Sequence, residues 1–232
     1  MAKRDYKQFC PMARALNVVG ERWTLLIVRD PLMAQRRYNE IRRAMPGMAS
    51  NLLAPRLAEM EEVGLIEKRR LAEPTPHDIY ALTDRGRALE PIIVDLTRFG
   101  FPYLGIPTDE EPMLDERVPL GLRAMMLDQE MPDDALTMRF ALDEGDYLVT
   151  IASAGPRGRR LAPGNRVQVA RLDGEGDASA DVVIRGTMAA ILWVRQAMMT
   201  IDEIEKQKLL TINGPADAVD AVRYLYRLSA VS

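Results

Sequence analysis

The sequence predicts an α+β chain built in two separate parts, and three observations carry that prediction. The first is a run of helix-period apolar spacing, interrupted by a proline-containing pair of short apolar segments and closed by another helical stretch. The second is a change of pattern beyond a Pro-, Asp- and Glu-rich stretch, after which several segments alternate apolar and polar residues. The third is charge: 17 Lys and Arg stand against 13 Asp and Glu up to Gly105, and 14 against 21 after it, so halves of +4 and −7 make the net −3. A chain of 232 residues suits two domains of about 100 residues each.

Cys10-Pro11 opens a first helix, because proline at the first helical position has no amide hydrogen to waste. Met12, Leu16 and Val19 recur on one face, and Gly20 is its stop. A second helix starts near Glu21, with Trp23, Leu26 and Ile27 as core, and Pro31 is expected to kink or end it. A third spans Arg37–Met45, turning Tyr38, Ile41 and Met45 inward and Arg36, Arg37, Arg42 and Arg43 outward; the last two are read as solvated or paired with Glu40. After Pro46-Gly47, a fourth helix runs from about Ser50 to Val63. Ser50 or Ala49 lies near its N-cap, Leu53, Leu57 and Met60 form its buried stripe, and Pro55 stands awkwardly inside it. Leu65–Leu71 and Ile79–Thr83 form a hairpin with His77 at its tip and Lys68, Arg69 and Arg70 at its base. Thr83 then caps a long helix to Tyr103, carrying Leu89, Ile92, Ile93, Leu96 and Phe99. Helices, hairpin and helix in this order are those of a winged helix-turn-helix.

Several blocks make the resemblance specific. Cys10-Pro-Met-Ala-Arg-Ala-Leu16, Gly20-Glu-Arg-Trp-Thr-Leu-Leu-Ile27, Arg37-Tyr-Asn-Glu-Ile41, Asn51-Leu-Leu-Ala-Pro-Arg-Leu-Ala-Glu-Met-Glu-Glu-Val-Gly-Leu65 and Tyr80-Ala-Leu-Thr-Asp-Arg-Gly86 resemble, in order and spacing, the HxlR family of transcription regulators. The departures are Pro31, Ala34 where glycine is usual, and a long wing tip. The resemblance implies a DNA-binding and dimerisation domain over 9–104, with the first and last helices forming a homodimer on a palindromic double-stranded operator. Ser50, Asn51 and Arg56 are the candidates for base or near-phosphate contacts, since Asn pairs with adenine and Arg with guanine in the major groove. Arg36, Arg37, Arg69, Arg70 and His77 are candidates for phosphate or minor-groove contacts, which set register and affinity. In some relatives a cysteine at the place of Cys10 senses oxidants or electrophiles; a quiet, partly buried thiol is the other reading.

Residues 105–118 read as a linker. Beyond it a helix over Pro119–Gln129 is expected, then a meander of antiparallel strands at Leu136–Leu142, Tyr147–Ala152, Arg159–Leu161 and Ala180–Arg185. An almost wholly apolar helix begins at Thr187, followed by a short helix at Asp202–Gln207, a strand at Lys208–Asn213 and a final helix at Pro215–Leu228. Ala180-Asp-Val-Val-Ile-Arg-Gly-Thr-Met-Ala-Ala-Ile-Leu192 and Leu209-Leu-Thr-Ile-Asn-Gly-Pro-Ala-Asp-Ala-Val219 are similar to the sterol carrier protein family, without the glycine often seen before its last strand. That resemblance implies a separate α+β sterol-carrier-like domain over 119–229 enclosing an apolar tunnel. Phe140, Met188, Ile191, Leu192, Trp193, Met198 and Met199 are its candidate lining, and a stripe of this kind also reads as ordinary core.

One cysteine and one histidine leave no His-His metal pair and no cysteine zinc site, and any Ser-His-Asp triad would have to use His77. A metal site of carboxylates alone stays open, but nothing resembles a calcium loop or a phosphate-binding glycine loop, and no metal, cofactor or enzymatic activity is expected. The longest apolar stretches, such as Met188–Val194, fall far short of a membrane span, and Met1–Gln8 has no apolar signal core. Together with the lone thiol this fits a cytoplasmic protein. The expected function is a dimeric, sequence-specific transcriptional repressor controlled by an apolar small molecule in the C-terminal domain. The alternatives are a Cys10 redox or electrophile sensor with a structural C-terminal domain and, last, a lipid-binding or transfer protein.

Overall fold

Proline and glycine set the limits of the first helices. In the computed structural model α1 runs Pro11–Val19, with Pro11 at its first position and Gly20 as its C-cap. α2 runs Thr24–Met33 and passes through Pro31 instead of stopping there. A proline in the last turn removes only the one hydrogen bond due to Ile27, so the helix survives two more residues. The structure describes residues 5–72, 76–105, 108, 115–155, 166–172 and 179–228. They fall into two units, Met1–Ile93 and Val94–Ser232.

In the first unit, Arg36–Arg37 form a two-residue strand, β1, and do not continue the helix expected there. α3 is accordingly shorter, Tyr38–Arg43, and its first turn is closed by the Arg37 amide donating to the Glu40 carboxylate at 2.7 Å. α4 spans Leu53–Glu62, and β2 (Ile66–Leu71) and β3 (His77–Leu82) form the hairpin. The three strands make one antiparallel sheet in the order β1-β3-β2. Ile27, Val28, Ile41, Leu53, Leu57, Met60, Leu65 and Ile66 are buried, so the 3.6-residue stripes of α2, α3 and α4 meet in one core. α3 and α4 are the helix-turn-helix, and β2 and β3 are the wing.

The long helix expected from Thr83 to Tyr103 is broken. Thr83 caps only α5 (Asp84–Arg87), and α6 begins afresh at Glu90–Gly100. Pro91 is the reason: it has no N–H for the Arg87 carbonyl, but it is harmless in the first turn of a new helix. Apolar side chains of the two helices expected to form the dimer remain exposed, Met12 on α1 and Ile92, Leu96 and Phe99 on α6, and Phe9 stands fully in solvent.

The second unit holds α7 (Val118–Met125), β4 (Leu136–Leu142), β5 (Gly145–Ile151), β6 (Val167–Arg171), β7 (Val182–Gly186), α8 (Met188–Arg195), α9 (Ile201–Lys206), β8 (Leu210–Asn213) and α10 (Ala216–Leu225). Its sheet order is β6-β5-β4-β7-β8, with β4 and β7 parallel. The expected antiparallel meander is therefore a mixed sheet. β6 takes the free edge of β5, so β7 crosses to the far side of β4 and arrives in β4's own direction. The strand expected at Arg159–Leu161 lies outside the described residues. β6 is a strand the sequence does not announce, because its alternation is confined to Val167, Gln168 and Val169 and its edge position leaves none of it fully buried. β4 buries Leu136, Met138, Phe140 and Leu142, and these join the apolar sides of α7, α8 and α10 in a single core. No helix among the described residues is long and apolar enough to cross a membrane.

Candidate nucleic-acid interface

The helix expected to start at Ser50 begins three residues later. Ser50 and Asn51 belong to an exposed turn in which the Leu52 amide donates to the Ala49 carbonyl, and Ser50 caps nothing. This start explains Pro55. It occupies the third helical position, where backbone amides have no intrahelical partner, so its missing hydrogen costs no helical bond. Leu53, Leu57 and Met60 are buried as the spacing predicts, and Asn51, Ala54, Pro55 and Ala58 share the solvent face. The leading end of α4 thus offers two polar side chains, Ser50 and Asn51, flanked by small residues that permit close approach.

Arg56 is not on that face. Its guanidinium pairs with Glu59 at 2.6 Å and with Glu21 at 3.3 Å, and its side chain is only 18% exposed. It tethers α4 to the turn between α1 and α2.

The far end of α4 lies at Gly64, the stop the sequence offers there. Gly64, at φ +71°, lets the Leu65 amide donate to the Met60 carbonyl and its own amide to Glu61, a Schellman turn that leads into β2. Three residues of the Thr83-Asp-Arg-Gly86 block clamp this turn. The Thr83 hydroxyl donates to the Gly64 carbonyl at 2.6 Å, and Arg85 donates to Val63 at 2.7 Å. Gly86 packs so close that a Cβ there would stand 2.0 Å from the Leu65 oxygen. The block therefore holds the wing at a set distance from α4.

On the wing, Arg70 and Lys68 both contact Asp78 at 2.9 Å, and Arg69 pairs with Glu67. The Arg70 and Lys68 contacts hold the Asp78 carboxyl below its ordinary pKa, and Asp78 in turn raises that of Lys68. These pairs are solvent-exposed and so weakly held. His77 is half-buried opposite Leu71 at the last register pair of the hairpin. Arg36 and Arg37 lie on the edge strand opposite Tyr80 and Ile79. Arg42 and Arg43, expected to be solvated or paired with Glu40, are exposed on α3 and line a shallow depression with Asn39, Met48 and Ser50. They are not paired with Glu40, whose carboxylate is taken by the Arg37 amide.

Cys10 is a half-buried free thiol at the N-cap of α1. In the second unit, Phe140, Met188, Ile191 and Leu192 are buried in the core, with Trp193 and Met199 packed partly against it. Phe140 meets the ring of Tyr226 edge-on at 5.3 Å. Met198 stands apart, exposed in the turn that follows α8.

Comparison with known proteins finds relatives of the first part of the chain. Residues 18–106 match the family model described as HxlR-like helix-turn-helix. YvaP of Bacillus subtilis (strain 168), an uncharacterised HTH-type transcriptional regulator, is 31% identical over 101 residues, which is 43% of this chain and 94% of YvaP. Rv3095 of Mycobacterium tuberculosis (strain H37Rv), an uncharacterised regulator of the same type, is 38% identical over 106 residues, 46% of this chain and 65% of that protein. A solved structure of a MarR-family transcriptional regulator from Porphyromonas gingivalis W83 is 32% identical, covers 44% of this chain and 99% of its own, and has a TM-score of 0.40.

Proposed function

The chain belongs to the HxlR-like helix-turn-helix family of transcriptional regulators, and from that membership we propose that it is a homodimeric repressor that reads a palindromic operator with the leading end of α4. The observation that carries the reading is the exposed Ser50-Asn51 turn at the start of a helix whose stripe is buried and whose far end is clamped to a cationic wing. A helix of this length fits the major groove, where the Asn51 amide can pair with an adenine edge. Arg36, Arg37 and the wing cations Arg69 and Arg70 serve the phosphates, with His77 at the wing strand end beside them.

One such domain contacts too few base pairs to select a genomic site. The uncovered side chains Met12 on α1 and Ile92, Leu96 and Phe99 on α6 supply apolar surface for a second copy. The test is binding of the full chain to its own promoter DNA with single base-pair changes. Asn51→Ala should lose discrimination of roughly 1–3 kcal/mol at one position per half-site. Unchanged preference at every position would remove α4 from the groove.

The second unit is assigned the regulatory role, as a sterol-carrier-like domain. In its favour is the almost wholly apolar α8, which follows β7 directly and packs on a five-stranded sheet. Adding fatty acids or sterol-like compounds should shift operator affinity, and no shift with any of them would leave the unit structural. Control through Cys10 is the second reading, favoured by its half-exposed place at the start of α1. Operator release by an electrophile in the wild type and not in Cys10→Ser would select it.

A further inference from the structure

The cations of the first unit divide by whether an acid already holds them. Arg14, Arg29, Arg56, Lys68, Arg69 and Arg70 each pair with a carboxylate. Arg42 and Arg43, like Lys7, Arg22, Arg36, Arg37, Arg85 and Arg87, have no acid partner among the described residues, and they stand out by lining one depression together, both exposed in the last turn of α3. Glu40, on the same helix, is occupied by the Arg37 amide. The depression that Arg42 and Arg43 line has Asn39 and Ser50 as its other polar walls and no carboxylate among its lining residues. Ser50 comes from the turn that leads into α4, so this depression joins the two helices of the helix-turn-helix.

We infer that the depression is a seat for the phosphodiester backbone of duplex DNA. Two guanidinium groups supply charge-assisted donors to non-bridging oxygens, and the Asn39 amide and Ser50 hydroxyl add neutral ones. The inference rests on the reading of α4 as the groove helix and adds what fixes its register. A phosphate held here pins the residue next to Asn51, so the base-reading side chain is placed by the backbone contact. The seat also ranks the cations. Arg69 and Arg70 must leave Glu67 and Asp78 to reach a phosphate, whereas Arg42 and Arg43 surrender no ion pair. Two basic residues in a last helical turn also complement the helix dipole, but that role leaves no trace in the salt dependence of DNA binding.

The seat reads no sequence, so a mixed-sequence duplex of about 30 base pairs, longer than a one-turn half-site spacing, serves as the probe. Fluorescence anisotropy with the full chain across a potassium chloride series gives the slope of log affinity against log salt. Each phosphate neutralised contributes roughly 0.9 to that slope, so Arg42→Ala/Arg43→Ala should flatten it by about 1 to 2. The double lysine variant keeps both charges and should restore most of the slope. Thermal midpoints should fall only slightly, by the helix-dipole contribution, because neither side chain holds an ion pair in the folded protein. A wild-type slope retained by the double alanine variant, on a steep wild-type dependence, overturns the seat and leaves the groove reading standing. A wild type with no salt dependence overturns both.

Discussion

Arg56 of α4 reaches back to Glu21, in the turn between α1 and α2, at 3.3 Å, while its other terminal nitrogen holds Glu59 at 2.6 Å. A residue expected from the sequence at the DNA thus holds two carboxylates of its own chain in the structure. Arg56→Ala should lower unfolding stability by about 1 kcal/mol, the upper range for exposed pairs. It should also weaken binding to all DNA sequences alike, measured by urea titration and by affinities for a base-substituted operator series. Relaxed preference at one base pair would return Arg56 to the groove.

Gly86 has no room for a side chain, since a Cβ would meet the Leu65 carbonyl oxygen at 2.0 Å. Gly86→Ala should push α5 off the Schellman turn and cost roughly 1–3 kcal/mol of stability, the range for overpacking. Calorimetric melting reads this directly. An unchanged midpoint would mean that the clamp on the end of α4 is loose.

Asp78 neutralises two wing cations at once. Asp78→Asn should free Lys68 and Arg70, raise affinity for any duplex and steepen its salt dependence. The sign of the pH effect follows from the lowered carboxyl pKa, whose first cause is the Arg70 hydrogen bond. The hairpin pairing is present above the ordinary aspartate range and is lost as pH falls through the lower folded value. NMR titration of the Asp78 carboxyl checks it, and an unshifted midpoint would contradict the pairing.

Tyr147 is buried in the second unit, where its hydroxyl donates to the Asp115 carbonyl at 2.9 Å. Burial raises its pKa to about 12. The stabilisation is complete below the ordinary value of 10 and is lost as pH rises through the folded value. Urea titrations between pH 9 and 12 should show stability falling in that window, and Tyr147→Phe should flatten the fall. An equal fall in both proteins would locate the effect elsewhere.

Much of the first unit is legible in its sequence because burial there follows period. Leu53, Leu57 and Met60 announce the inner face of α4, and Pro11 and Gly20 announce the ends of α1. The misplacements share one cause: a sequence gives the face a side chain is on and not what lies opposite. An arginine bound for Glu21, 35 residues away, looks the same as one bound for DNA, and Arg42 looks no freer than Arg69. Local pattern also hides pairing order, so alternation placed β4 and β7 correctly as strands while leaving their parallel neighbourhood unseen. In the second unit, Phe140, Met188, Ile191 and Leu192 read equally as tunnel lining and as core, because both demand apolar side chains; the structure buries them in the core.

Operator recognition can be read by selecting duplexes from a randomised pool with the full chain and sequencing those retained. Enrichment of an inverted repeat, with half-sites about one helical turn or 10–10.5 base pairs apart, is the predicted result. A pool that stays random after repeated rounds, with retention indifferent to salt, would contradict it.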